Sequence, residues 1–252
     1  MNEKVTLSAR DLSAGYGSKV VLSDINFNLV EGQIISLIGP NGSGKSTLLK
    51  TLMGDLPPLK GSVSLIGREL GNLPRSEIAK VMAVMVTGNI RPEWMTCREM
   101  AASGRYPYTG LLGKLGKKDS EAVDEAMELT GTSDLASLYI NEISDGQRQR
   151  VLLAKAICQE PRILILDEPT TFLDIRYKLE FLDILRVLAE KRRVTILMSL
   201  HELELVRLVS DRVICLKSGH VDADGGKEVL HDGYLRKLYN IGENEFSDYR
   251  II

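Results

Sequence analysis

The segment Gly39-Pro40-Asn41-Gly42-Ser43-Gly44-Lys45-Ser46-Thr47 has the residue types and spacing needed to hold a polyphosphate. Its glycines let consecutive backbone N–H groups face one concavity, and the start of a helix adds positive potential there. Lys45 would reach the terminal phosphates, and the Ser46 hydroxyl would ligate Mg2+. A lone glycine-rich turn would say little. Here the apolar run Ile34–Ile38 precedes the loop and a helical stretch over 45–53 follows it, the strand, loop, helix order that the chemistry requires.

A second chemical feature lies at Asp167-Glu168-Pro169, directly after the apolar run 163–166. Two carboxylates at the C-terminal end of a buried strand stand where open α/β sheets bind ligands. Asp167 would hold the Mg2+ through water. Glu168 would polarise an attacking water as general base, a role worth about 10²–10⁴ in rate. His201 follows another apolar run, 194–198, at a similar topological position, so its imidazole could reach a γ-phosphate. Lys45, Glu168 and His201 are therefore the candidate catalytic residues.

These side chains need a sheet whose strand ends converge. Residues 5–12 and 25–30 alternate apolar with polar positions, with Gly15-Tyr16-Gly17 between them, and predict an antiparallel opening. The runs 34–38, 81–86, 163–166, 194–198 and 213–216 read as buried strands separated in part by helical stretches, which predicts a largely parallel sheet. Between 87 and 158 the pattern turns helical, with periodic segments at 119–129 and 147–157. The expectation is one domain over 1–252 with a helical subdomain inserted at about 88–158.

Composition narrows the function. With 44% hydrophobic and 26% charged residues the chain suits a globular fold and offers no ground for disorder. A formal net charge of −2 gives no polycationic character, so nucleic acid is not an expected partner. Cys97, Cys158 and Cys215 are far apart and odd in number, which fits small core side chains in a reducing cytosol. No run approaches the roughly 18 apolar residues of a spanning helix, and the N-terminus has no apolar signal core. Any membrane contact is expected to go through a partner.

With these motifs in this order the chain resembles the ATP-binding cassette (ABC) family over almost its whole length. Tyr16 is similar to the aromatic residue that stacks on adenine, Ile143-Ser144-Asp145-Gly146-Gln147 to the signature motif, Thr171–Asp174 to the D-loop, and His201 to the switch histidine. The resemblance implies a P-loop ATPase of α/β class, with an N-terminal antiparallel β subdomain and an inserted helical subdomain. ATP and Mg2+ would be its cofactors. It implies a head-to-tail dimer, identical or paired with a homologue, in which Ser144, Asp145, Gly146, Gln147 and Asp174 help to close the nucleotide site. It also implies permease subunits and, indirectly, a substrate-binding protein, with the chain peripheral on the inner face of the membrane.

Thr96–Met100, Gly104–Tyr108 and the segment 111–114 closely resemble the subgroup that powers import of iron-siderophores, haem and vitamin B12. The same stretch also reads as a solvated, glycine-broken loop, or as a Leu-rich amphipathic element suited to docking a permease helix. The competing functions are a soluble ABC-type ATPase on ribosomes or DNA ends, and a nucleotide-gated module that hydrolyses poorly. The first usually fuses two cassettes or inserts a long coiled coil, and intact Lys45, Asp167, Glu168 and His201 argue against the second.

Two positions depart from the family pattern. Where the signature carries a glycine this chain has Asp145, whose carboxylate would repel the opposite γ-phosphate by about 4 kcal/mol at 4 Å and an effective dielectric of 20. Asp is also a preferred N-cap, and Ser144 or Asp145 stands just before the helix 147–157, so the carboxylate is expected to turn to its own helix. The Q-loop glutamine, a Mg2+-side ligand in the family, falls at Thr87. Either a water extends that short side chain, or Asn89 supplies the carboxamide, or the coupling is altered.

Overall fold

The computed structural model describes residues 4–86, 92, 94–110, 113–171 and 173–242. The expectations placed on Thr87, Asn89 and the leucines at 111–112 lie outside these residues, as does the tail from 243.

The chain opens with β1 (Val5–Tyr16) and β2 (Lys19–Val30), an antiparallel hairpin whose buried positions largely alternate with exposed ones. β3 (Ile34–Ile38) is buried at every residue and delivers the chain to the phosphate loop and α1 (Lys45–Leu52). β4 (Lys60–Leu65) and β5 (Arg68–Glu69) return to the N-terminal sheet, followed by α2 (Arg75–Ala79) and β6 (Met82–Val86). Three helices come next, α3 (Cys97–Ala102), α4 (Lys117–Leu129) and α5 (Asp145–Cys158). The remainder alternates as β7 (Ile163–Asp167), α6 (Ile175–Arg192), β8 (Thr195–Ser199), α7 (Leu203–Val209), β9 (Arg212–Lys217), β10 (His220–Gly225) and α8 (Asp232–Leu238).

Two sheets result, ordered β2-β1-β4-β5 and β10-β9-β3-β8-β7-β6. The first is antiparallel. In the second, β9, β3, β8, β7 and β6 run parallel and β10 closes one edge in the antiparallel sense. The predicted α/β architecture is thus present, with β4, β5 and β10 added to the strands read from sequence. Because β3, β7, β8 and β9 are buried on both faces, the alternation of a half-exposed strand is absent from them.

Their side chains divide between two cores. Ile35, Leu37, Ile163, Ile165, Leu197 and Ile214 pack toward α1 and the N-terminal sheet. Ile34, Ile38, Leu164, Leu166, Ile196 and Met198 pack toward a layer that includes α3, α4, α5 and α6. Among the described residues no helix is long and apolar enough to cross a membrane.

The stretch Gly104–Tyr108 proves to be an internal staple where a solvated loop was one expectation. Arg105 is 5% exposed. Its Nε donates to Asp119 Oδ1 over 2.9 Å, and its Nη1 donates to the Cys158 carbonyl and to Glu160 Oε2, each over 2.6 Å. The guanidinium also lies 4.1 Å from the centre of the Tyr108 ring, whose hydroxyl donates to the Gln159 carbonyl. The Gly116 N–H and Arg105 together hold the Asp119 carboxyl below its ordinary range. All these partners sit at the start of α4 or the end of α5. Backbone and side chain alike therefore tie residues 104–108 to the far end of the helix that begins at the signature motif.

Gly104 makes this approach possible, since a Cβ there would lie 2.1 Å from the Lys155 carbonyl oxygen. Gly104→Ala is expected to destabilise the chain by about 2–4 kcal/mol, because the clash is with backbone and no rotamer relieves it. Denaturant unfolding would check this, with a shift in midpoint at unchanged slope.

Candidate active site

Five parallel strands end on one side of the sheet, and three of them bring the predicted chemical groups together. β3 leads into the phosphate loop, β7 ends in Asp167, and β8 ends in Ser199 two residues before His201. Cross-strand register places Asp167 opposite Ser199 and, on the other side, opposite Val86.

The phosphate loop closes on itself before α1 begins. The Ser43 N–H donates to the Pro40 carbonyl over 3.1 Å, and Gly39 and Gly44 adopt φ of 148° and 105°. Both positions exclude a side chain, because a Cβ on Gly39 would meet the Leu216 carbonyl oxygen at 2.1 Å and one on Gly44 would meet Leu22 at 2.5 Å. Gly44 is the N-cap of α1 and has no side chain with which to cap it, so the first-turn N–H groups remain suited to an external oxyanion. Ser43 Oγ is buried without a hydrogen-bond partner. A buried hydroxyl in that state is costly unless a ligand atom satisfies it, and phosphate oxygens do so.

Lys45 is 7% exposed and its Nζ donates to the Gly39 and Pro40 carbonyls over 2.8 and 3.2 Å. Burial lowers its affinity for a proton, and the carboxylates of Glu168 and Asp167 act in the opposite sense. The ammonium therefore stands close enough to both acids to feel their charge.

Ser199, absent from the sequence-based site, joins those acids. Its Oγ donates to Asp167 Oδ1 over 2.6 Å and accepts from the Glu168 N–H over 2.8 Å. Its position at the end of a buried strand was legible, but its partners 31 and 32 residues away follow only from the register. Glu168 carries φ of 49°, a left-handed conformation uncommon for a residue with a Cβ and further disfavoured before Pro169. It is held there by Ser199, by Thr171 donating to its carbonyl, and by His201 Nε2 at 2.6 Å from its Oε1. His201 thus contacts the acid directly.

Tyr16 lies at the tip of the β1–β2 hairpin, half-exposed and opposite Lys19, and Val20, opposite Gly15, is exposed too. The next residues of β2, Val21 and Leu22, are those that a side chain on Gly44 would meet, so the hairpin tip flanks the phosphate loop. In α1 Thr47 is buried and Ser46 exposed, and Asn41 and Gly42 are exposed on the loop.

The signature-like residues form a separate group. α5 packs on α3, α4 and β6, whereas α1 packs on β1, β2 and β7. Gly146 faces Leu173 and the Tyr177 ring, each 3.5 Å from where a Cβ would stand. Asp174 caps α6, its Oδ1 accepting from the Tyr177 N–H over 3.0 Å. Signature and D-loop segments are therefore neighbours within one chain.

Of the two cap candidates Ser144 takes the position, and the Asp145 carboxylate turns to its own helix through a side chain, not as the N-cap. α5 begins at Asp145, two residues before the periodic segment, and Ser144 is the N-cap. The Ser144 N–H donates to Gln147 Oε1 and the Gln147 N–H to Ser144 Oγ, over 2.9 and 3.2 Å. This reciprocal pair occupies the capping positions, so the Asp145 carboxylate instead accepts from Arg148 Nη1 over 2.6 Å.

The fold and site define a P-loop ATPase with an inserted run of helices. The comparisons agree, because residues 22–171 match the family model described as ABC transporter. The chain is 37% identical over 246 residues to the iron(3+)-hydroxamate import ATP-binding protein FhuC of Bacillus subtilis, covering 97% of this chain and 91% of the relative. It is 35% identical over 243 residues to the ferric enterobactin transport ATP-binding protein FepC of Escherichia coli, covering 96% and 90%. A solved dimeric ATP-binding cassette in a post-hydrolysis state with ADP and Pi superposes with a TM-score of 0.76 at 24% identity, covering 88% of this chain and 98% of that one. The chain belongs to the ABC transporter family. It is an ATP-binding subunit and an ATPase.

Ser199→Ala leaves an Asp167 oxygen and the Glu168 N–H without their partner, at about 1–3 kcal/mol. The expected result is nucleotide affinity within about threefold of the parent and phosphate release slowed about 10–100-fold, since ~1.4 kcal/mol of misplacement is tenfold in rate. Steady-state phosphate release beside a fluorescent-nucleotide titration would check it.

Proposed function

We propose that this chain is the ATP-hydrolysing subunit of an importer for an iron-siderophore, haem or cobalamin-type ligand. The observation that carries the chemistry is Glu168, fixed between Ser199 and His201 and close to Lys45. The import reading is supported by the relatives whose names give iron-hydroxamate import and ferric enterobactin transport.

In this reading ATP lies with its adenine on Tyr16 and its phosphates along the N–H groups of residues 39–47. Lys45 leaves the Gly39 and Pro40 carbonyls to meet the terminal phosphates. Glu168 accepts a proton from the attacking water, and His201 orients that carboxylate and contacts the γ-phosphate as it departs. The donor set also suits Mg2+: Ser46 offers an exposed hydroxyl and Asp167 a carboxylate with one oxygen bound to Ser199. Hard oxygen donors, few from protein and the rest from phosphate and water, are what that ion prefers, and bound there it would neutralise phosphate charge. The role of Thr87 as a further ligand belongs to the same proposal.

Because the signature group packs away from α1, the reading assigns Ser144, Asp145, Gly146, Gln147 and Asp174 to the nucleotide of a second copy, head to tail. The related cassette solved as a dimer with ADP and Pi supports that pairing. Closure on ATP and opening after hydrolysis would then rock permease subunits, holding this chain on the inner face of the membrane, with a substrate-binding protein acting on the permease. Residues 88–158 would be the subdomain that transmits the motion.

Glu168→Gln is expected to slow phosphate release by about 10²–10⁴ while ATP still binds. Equal rates would remove Glu168 as the base. From membranes, the native chain should co-purify with a multi-spanning permease, whereas co-purification with ribosomes would overturn the transport reading.

A further inference from the structure

A carboxylate at the first position of a helix meant to receive a phosphate is a liability, and the fold answers it from within the same helix. Asp145 has a half-exposed side chain, while Arg148 is 8% exposed. Arg148 Nη1 donates to Asp145 Oδ1 over 2.6 Å and Nη2 donates to the Ile143 carbonyl over 3.3 Å. One guanidinium thus grips the residue before the N-cap and the residue after it.

An exposed ion pair three residues apart on a helix contributes little. This one differs because its cation is buried and its planar fork is shared between a carboxylate and a carbonyl, which fixes the direction in which Asp145 points. Ser144 Oγ accepts from the Gln147 N–H, which leaves its hydroxyl proton to donate.

We propose that Arg148 is a positioning residue for ATP-driven closure. Its guanidinium neutralises Asp145 and turns that carboxylate aside, so that the Ser144 hydroxyl and the N–H groups opening α5 face the partner's γ-phosphate. The inference rests on the head-to-tail pairing proposed above and adds to it the residue that makes an acidic signature compatible with an anionic ligand.

The test measures ATP-dependent dimerisation by sedimentation, with every variant built in the Glu168→Gln chain so that ATP persists. Arg148→Met should weaken the ATP-bound dimer about tenfold or more in low salt, and the deficit should shrink at about 0.5 M salt as screening shortens the reach of Asp145. Arg148→Lys keeps the charge but loses the planar fork, so its dimer should be weaker than the parent's and stronger than that of Arg148→Met. Combining Arg148→Met with Asp145→Gly should recover most of the lost affinity, which a merely structural role for Arg148 would not produce.

A double variant no better than Arg148→Met would overturn the proposal, and so would an Arg148→Met chain that dimerises like its parent. Should Arg148→Met fail to fold, Arg148→Gln with and without Asp145→Gly gives the same comparison. A Glu168→Gln parent that stays monomeric with ATP would remove the head-to-tail pairing itself, and this inference with it.

Discussion

The parallel pairing of β3, β8 and β7 is the constraint on which the chemistry depends. It sets the ends of three buried strands side by side, so the phosphate loop, Ser199 and Asp167 emerge at one edge although they are distant in sequence. Every residue of those strands except Asp167 is buried, and sliding one strand by a single residue would invert its faces between the two cores. The register is therefore held by the whole apolar interior. The Ser199 hydroxyl turns that register into chemistry by bonding one acid through its side chain and the next through its backbone.

The same edge stores strain. Glu168 sits in a left-handed conformation immediately before a proline, a placement that costs of order 1–3 kcal/mol and persists only where neighbours over-determine it. Ser199, Thr171 and His201 supply that over-determination, each from a different segment. The consequence is an acid whose carboxylate direction is fixed from outside its own strand. His201, bonded to it, is placed to report on whatever displaces it.

At the other end of the chemistry, α5 acts as a single rod of 14 residues. Ser144, Gln147 and Arg148 organise its N-terminus, and Arg105 and Tyr108 anchor the chain around its C-terminus. Residues 104–108 and the Ser144 cap are thus joined through one uninterrupted helix.

The sequence by itself determined the phosphate loop, the acid pair and the alternation of buried strands with helices. Each of these is a local matter, since glycine spacing, an apolar run and the residue that follows it are readable within about ten positions. Ser144 stood as one of two cap candidates on the same ground, although apolar periodicity started the helix two residues late, because Asp145 and Gly146 are helical without being apolar. Tertiary structure alone decided that Ser199 bridges the acids, that His201 meets Glu168, and that Arg105 is an internal anchor. It also decided that Arg148 takes the Asp145 carboxylate. Most of these contacts join residues 14 to 55 positions apart, and which side chains meet across such distances is set by strand register and helix packing. Neither leaves a trace in local spacing.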